Sequence, residues 1–145
     1  MEWIDNIILG LIDKYNTRNV YELCDYLGIK IKKLDSNNLI LRKKDAFYYR
    51  DFQNNEAIFI KNNLPLSLEK FILSHELGHA LCNPDLLCAA FTFSNKGKFE
   101  KQANYFAFKL NNTKFDEVEL EGMTIEQIAS CLELPYEPLK QLVNI

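Results

Sequence analysis

Hydrophobic residues change period twice along this 145-residue chain, and that switch constrains the fold more than any other feature. Trp3, Ile4, Ile7, Ile8, Leu11, Ile12 and Tyr15 recur at steps of three and four, the spacing of one face of an amphipathic helix. Asn16-Thr17 interrupts that pattern, and Val20 to Leu27 reads as a second short helix stopped by Gly28. Ile29 and Ile31 then alternate with lysines, as in a strand. Residues 46–50 and 56–60 are rich in aromatic and branched side chains, and the polar run Asp51 to Asn55 between them has hairpin length. Leu39 to Leu41 is a candidate for one more short strand. Beyond Pro65 the helical period returns, predicting helices over about Leu66 to Cys82, Phe99 to Leu110, Thr124 to Leu132 and Pro138 to Val143. Helices, a small sheet, then helices again is the order of an α+β domain. The expectation is a single domain over 1–145: N-terminal helices in 1–28, a three-stranded and mostly antiparallel sheet in 29–64, a central helical part in 65–110, and C-terminal helices in 111–145.

Charge and composition narrow the function classes. Seventeen basic against twenty acidic residues leave a formal charge of −3, unlike the basic footprint of a nucleic-acid binder. The apolar stretch Ile7 to Ile12 falls far short of the ~20 residues that span a bilayer. Glu2 and Asp5 stand where a secretory signal would be basic. Cys24, Cys82, Cys88 and Cys131 form no C-x-x-C pair, and each lies in an apolar segment, which suits small buried thiols in the reducing cytoplasm.

The chain has two histidines, His75 and His79, four apart within a helical run, with Glu76 directly after the first. Residues i and i+4 share a helix face one turn apart. Two imidazoles so placed can converge on one metal ion at about 2.0–2.1 Å each. Glu76 is rotated by about 100° from His75, so it can reach a water at an open coordination position without itself being a ligand. This is the H-E-x-x-H arrangement of zinc peptidases, or zincins.

A catalytic zinc usually has three protein ligands and an open position. No third histidine exists, so the remaining donor must be a carboxylate or thiolate. Glu100 is the preferred candidate, because it opens the next helix and Asn104 lies one turn further on the same face. The Asn104 carbonyl can accept a hydrogen bond from the second nitrogen of a ligating histidine and fix its tautomer. Asp85, Cys82 and Cys88 compete for the third position but follow the motif too closely to swing back easily.

The stretch from Phe71 to Leu81, Phe-Ile-Leu-Ser-His-Glu-Leu-Gly-His-Ala-Leu, and the later Glu100-Lys-Gln-Ala-Asn-Tyr-Phe-Ala-Phe-Lys-Leu together resemble the ImmA/IrrE family of metallo-endopeptidases. In that family an H-E-L-G-H helix is followed by a pattern close to E-x-E-A-N-x-F-A-x-x-L. Gln102 replaces the second acid of that pattern, which concentrates the ligand assignment on Glu100. The run Ala46 to Ile60 with Asn62-Asn63-Leu64 resembles the family's hairpin leading into the active-site helix. The resemblance covers about residues 45–110. It implies a zincin-like enzyme of bacteria or of their phages and mobile elements, with Zn²⁺ as cofactor and a helix-turn-helix repressor as the protein it cleaves to relieve repression. Zn²⁺ would be held by His75, His79 and Glu100, and Glu76 would take a proton from the attacking water and pass it to the leaving amine. The alternative is a protein-binding regulator that keeps the metal site without catalysis.

Three further expectations concern the surroundings. Oxyanion stabilisation needs another donor, for which Tyr48, Tyr49 and Arg50 of the hairpin are candidates, and an edge strand of that hairpin can bind substrate backbone by strand addition. Residues 124–143 have helix-turn-helix-like apolar spacing, but the second helix offers Glu137, Gln141 and one cation, Lys140, which favours packing or substrate docking over DNA binding. Lys30, Lys32, Lys33, Arg42, Lys43 and Lys44 are expected on a solvated face of the sheet.

Overall fold

In a computed structural model of the protein, residues 1–84, 96–113 and 118–143 are described. Six α-helices and three strands follow in the order α1 (Glu2–Tyr15), α2 (Val20–Leu27), β1 (Ile29–Leu34), β2 (Ala46–Arg50), β3 (Glu56–Lys61), α3 (Leu66–Cys82), α4 (Lys96–Leu110), α5 (Ile125–Leu132) and α6 (Tyr136–Val143). The architecture is the α+β domain that the two changes of period imply.

Local chemistry sets most boundaries. Asn16 adopts a left-handed conformation after α1, and the Asn19 side chain accepts from the Tyr21 and Glu22 amides to open α2. Gly28, at φ 75°, turns the chain out of α2 into β1. Asp51 accepts from the amides of Gln53 and Asn55 and so folds the β2–β3 connection on itself. Thr124 and Gln127 form a reciprocal capping box at the start of α5.

β3 lies in the middle of the sheet, antiparallel to β2 and parallel to β1. The sheet is therefore mixed rather than mostly antiparallel. A hairpin loop dictates the β2–β3 direction, whereas alternation in β1 carries no information about direction. Leu39–Leu41 is a single 3₁₀ turn, not a strand: Asn38 accepts from the Ile40 amide, and Arg42 and Lys43 take positive φ.

The main core lies among α1, α2, the sheet and the inner faces of α3 and α4, with Ile4, Leu23, Ile58, Ile60, Leu73, Leu77, Phe106 and Leu110 fully enclosed. A second cluster, Phe71, Ala107, Phe108, Ala129 and Leu139, seats α5 and α6 on α3 and α4. The C-terminal pair thus spends its apolar face on packing. Glu69, buried in α3, accepts from the Tyr21 hydroxyl and pairs with Lys33 at 3.0 Å, tying β1 and α2 to the central helix. All six cations expected on the solvated face are exposed. Cys24 and Cys82 are buried, but Cys131 is exposed, because α5 turns only its Ala129 side fully inward. Cys88 and Asp85 lie outside the described residues. No helix among the described residues is long and apolar enough to cross a membrane.

Candidate metal centre

Helix α3 is enclosed on several sides and carries His75, Glu76 and His79 on its inner turns. Its partner α4 runs against it at very close range. A Cβ added at Gly78 would stand 3.1 Å from Ala103 Cα, 3.1 Å from Phe106 Cβ and 3.2 Å from the Ala103 carbonyl oxygen. A side chain at position 78 would be tightly crowded at this approach, which brings Glu100 across to both histidines.

His75 Nε2 lies 3.2 Å from Glu100 Oε2, His79 Nε2 lies 3.0 Å from Glu100 Oε1, and the two Nε2 atoms are 3.1 Å apart. Donors about 2.0–2.1 Å from a tetrahedral ion stand roughly 3.3 Å from one another. Two imidazole nitrogens and a carboxylate oxygen already at that spacing are a donor set that fits a divalent cation of the zinc type. The same three groups adjoin a cavity, and an ion held by three protein groups would keep one position for a non-protein ligand.

The orientation of His75 is fixed from behind. Its Nδ1 lies 2.6 Å from Asn104 Oδ1, and an amide oxygen only accepts, so Nδ1 carries the proton and Nε2 turns to the cluster. Asn104 in turn donates from Nδ2 to Gln141 Oε1 on α6, also at 2.6 Å. The tautomer-fixing role expected of Asn104 from its position four residues after Glu100 has this geometry. Gln141 was legible only as a polar residue on the last helix: no spacing in the sequence connects positions 104 and 141. Beside His79, Asn83 donates from Nδ2 to Gln102 Oε1 at 3.0 Å. Gln102, two residues from Glu100, therefore serves the α3–α4 seam rather than the cluster. His79 Nδ1 and Asn83 Oδ1, one turn apart, are buried atoms without a partner among the described residues.

Without a cation the three groups are strongly coupled. Burial favours the neutral His75 ring, but the Glu100 hydrogen bond, the charges of Glu76 and Glu100, and the Asn104 bond outweigh it and raise the pKa. Burial likewise pushes Glu100 upward, and the hydrogen bonds and charges of His75 and His79 reverse this, holding the carboxyl well below the usual range.

The cluster opens onto a cavity of about 650 Å³, within the usual size of ligand sites. Its lining includes His75, Glu76, Glu100 and Asn104, the apolar Leu68, Phe71 and Ile72 of α3, and Leu134, Pro138 and Gln141 from the C-terminal region. Asp45 and Ala46, where edge strand β2 begins, also line it. Glu76 is 7% exposed, so its carboxylate is held at the wall with little competing solvent. The candidate oxyanion donors are elsewhere. Tyr48 is buried in the core and donates its hydroxyl to Glu56, Tyr49 is 46% exposed, and neither they nor Arg50, opposite Glu56 in the sheet, line the cavity. The strand enters the cavity by its first residue only, and the later ones run away from it.

The chain matches the family model of the IrrE N-terminal-like domain, a peptidase family, over residues 24–143. Over 103 residues, 69% of the chain, it is 36% identical to an uncharacterized immunity region protein 2 of Bacillus phage phi105. It is 31% identical over 144 residues, 91% of the chain, to the metallopeptidase ImmA of Bacillus subtilis strain 168. The chain covers 62% of the phage protein's length in that match and 79% of ImmA's. No solved structure matches it. Family match, relatives and the histidine–carboxylate cluster agree: the chain belongs to the IrrE N-terminal-like family of metallopeptidases.

Proposed function

We propose that this protein is a zinc-dependent endopeptidase that cleaves a helix-turn-helix repressor of a phage or mobile element. The observation that carries the reading is the convergence of His75 Nε2, His79 Nε2 and the Glu100 carboxylate beside a cavity that also receives Glu76. The names of the relatives, a metallopeptidase and a phage immunity region protein, support the chemistry and the setting.

His75, His79 and Glu100 would hold the cation, which supplies Lewis acidity toward water and toward the scissile carbonyl. Glu76, at the cavity wall, accepts the proton of the attacking water and returns it to the leaving nitrogen. Asn104 keeps the proton of His75 on Nδ1, so the ring offers a lone pair from Nε2. Asp45 and Ala46, where edge strand β2 begins, offer backbone to a substrate segment entering the cavity, and Leu68, Phe71 and Ile72 offer an apolar surface to one of its side chains.

The test is zinc content together with cleavage of a purified helix-turn-helix repressor, chosen from the reading frames next to this gene. Wild type should bind zinc and cut the repressor; Glu76→Gln should bind zinc and leave it intact. Cleavage surviving that substitution removes Glu76 from the reaction. Relief of repression without any cut would mark a binding regulator instead.

A further inference from the structure

We propose that Gln141 is a positioning residue for the metal centre, making helix α6 the end of a hydrogen-bond relay that dictates which nitrogen of His75 carries the proton and so leaves Nε2 free for the cation. The inference rests on the reading of His75, His79 and Glu100 as ligands. The relay has a direction. Gln141 Oε1 accepts from Asn104 Nδ2 at 2.6 Å, which leaves Asn104 Oδ1 for His75 Nδ1, also at 2.6 Å. Reversing the first bond reverses the second: a donor at position 141 would turn Asn104 Oδ1 toward itself and present Nδ2 to His75. The ring would then have to accept at Nδ1 and carry its proton on Nε2, the atom 3.1 Å from His79 Nε2 and 3.2 Å from Glu100. A nitrogen bearing that proton is no metal ligand.

Among the described residues the side-chain partners of buried Asn104 are His75 on α3 and Gln141 on α6, so the direction at Asn104 is set from Gln141. Leu139, completely buried two residues before Gln141, anchors α6 on the second core cluster and so holds the acceptor in place. Gln141 also lines the cavity, so the same side chain adjoins the space a substrate fills. Seating of the C-terminal helix pair is therefore coupled to how well the cation is held.

The direction makes the relay testable with side chains of similar length. Gln141→Glu supplies an acceptor that cannot donate, whereas lysine at this position can only donate and leucine does neither. Zinc affinity is measured by competition with a chromophoric chelator for wild type, Gln141→Glu, Gln141→Lys and Gln141→Leu. The His75 tautomer is read from imidazole ¹⁵N shifts in the metal-free proteins above the His75 titration, where the ring is neutral, and far-UV circular dichroism checks the fold. Gln141→Glu should stay within about threefold of wild type, while Gln141→Lys and Gln141→Leu should lose roughly 10–100-fold, the usual scale for groups that orient a ligand. The lysine variant should also shift His75 toward the Nε2-protonated form. Equal affinities for the glutamate and lysine variants, or an unchanged tautomer in the lysine variant, overturn the relay. A wild-type protein that binds no zinc defeats the ligand reading itself, a separate outcome.

Discussion

Gly78 of α3 and Ala103 of α4 are in such close contact that the space for a side chain at position 78 is already taken by the neighbouring backbone. A methyl group there would meet Ala103 Cα and Phe106 Cβ at 3.1 Å, and neither can rotate away. Gly78→Ala would gain about 1 kcal/mol of helix propensity but force the helices apart at a cost of about 1–3 kcal/mol. Because the obstruction is backbone, the cost should prevail, and urea unfolding should show a net loss of about 1 kcal/mol. Zinc affinity should fall as well, since α4 carries Glu100.

Removing the carboxylate separates site from scaffold. Glu100→Gln keeps the volume but replaces an anionic ligand with an amide. The remainder of α4 stays anchored by Ala103, Phe106, Ala107 and Leu110, all with no exposed surface. Chelator competition should show zinc affinity falling by more than about 100-fold, beyond the loss typical of groups that only orient ligands. The helical circular dichroism signal should remain. Unchanged affinity would exclude Glu100 from the ligand set.

The metal-free protein should be most stable in mildly acidic solution. His75 is raised above its ordinary 6.5, so its contribution is fully present below 6.5 and disappears as pH rises through the folded value. Glu100 is depressed below its ordinary 4.5, so its contribution is present above 4.5 and is lost as pH falls through the folded value. Both act together between about pH 4.5 and 6.5. Urea midpoints of chelator-treated protein should therefore peak in that window, and Glu100→Gln should flatten the peak. Zinc binding must displace the His75 proton from Nε2, so zinc affinity should weaken as pH drops through the same range.

The chemistry of α3 was legible because it is local: His75 and His79 share a face whatever surrounds them, and Asn104 follows Glu100 by the same rule. Long-range packing was not. Gln141 reaches Asn104 only because Leu139 and Ala129 seat α5 and α6 on the second core cluster, a docking that no periodicity encodes. Adjacent strand residues such as Tyr48 and Tyr49 face opposite ways, but nothing local says that the Tyr48 hydroxyl is spent on Glu56, or that β2 lines the cavity at Ala46 alone. Parallel pairing of β1 was equally hidden, because the residues joining it to the sheet lie 27 positions apart, as in Ile29 opposite Glu56. At Leu39–Leu41 three apolar residues imitate a strand, and the Asn38 cap followed by two positive-φ residues folds them into a turn.

The cysteines offer a probe of this packing that needs no substrate. Burial pushes the Cys24 and Cys82 thiols up to about 12, with the Glu56 charge adding to the effect at Cys24. At pH 8 a thiol of that pKa is ionised in only about one molecule in 10⁴, and its surroundings exclude a reagent as well. Cys131 is exposed on α5, where a reagent can reach it. Among the thiols of the described residues, maleimide labelling followed by peptide mass mapping should therefore modify Cys131 first, with Cys24 and Cys82 reacting only through opening of the core. A ligand that binds the folded state alone stabilises it by RT ln(1 + [L]/Kd), so zinc at a hundredfold excess over its Kd should slow labelling of Cys82 through global opening by about 100-fold. Cys131 should label at the same rate with or without the ion. Equal zinc effects at Cys82 and Cys131 would mean that the ion does not stabilise the folded state, or that Cys82 is reached by a local opening rather than a global one.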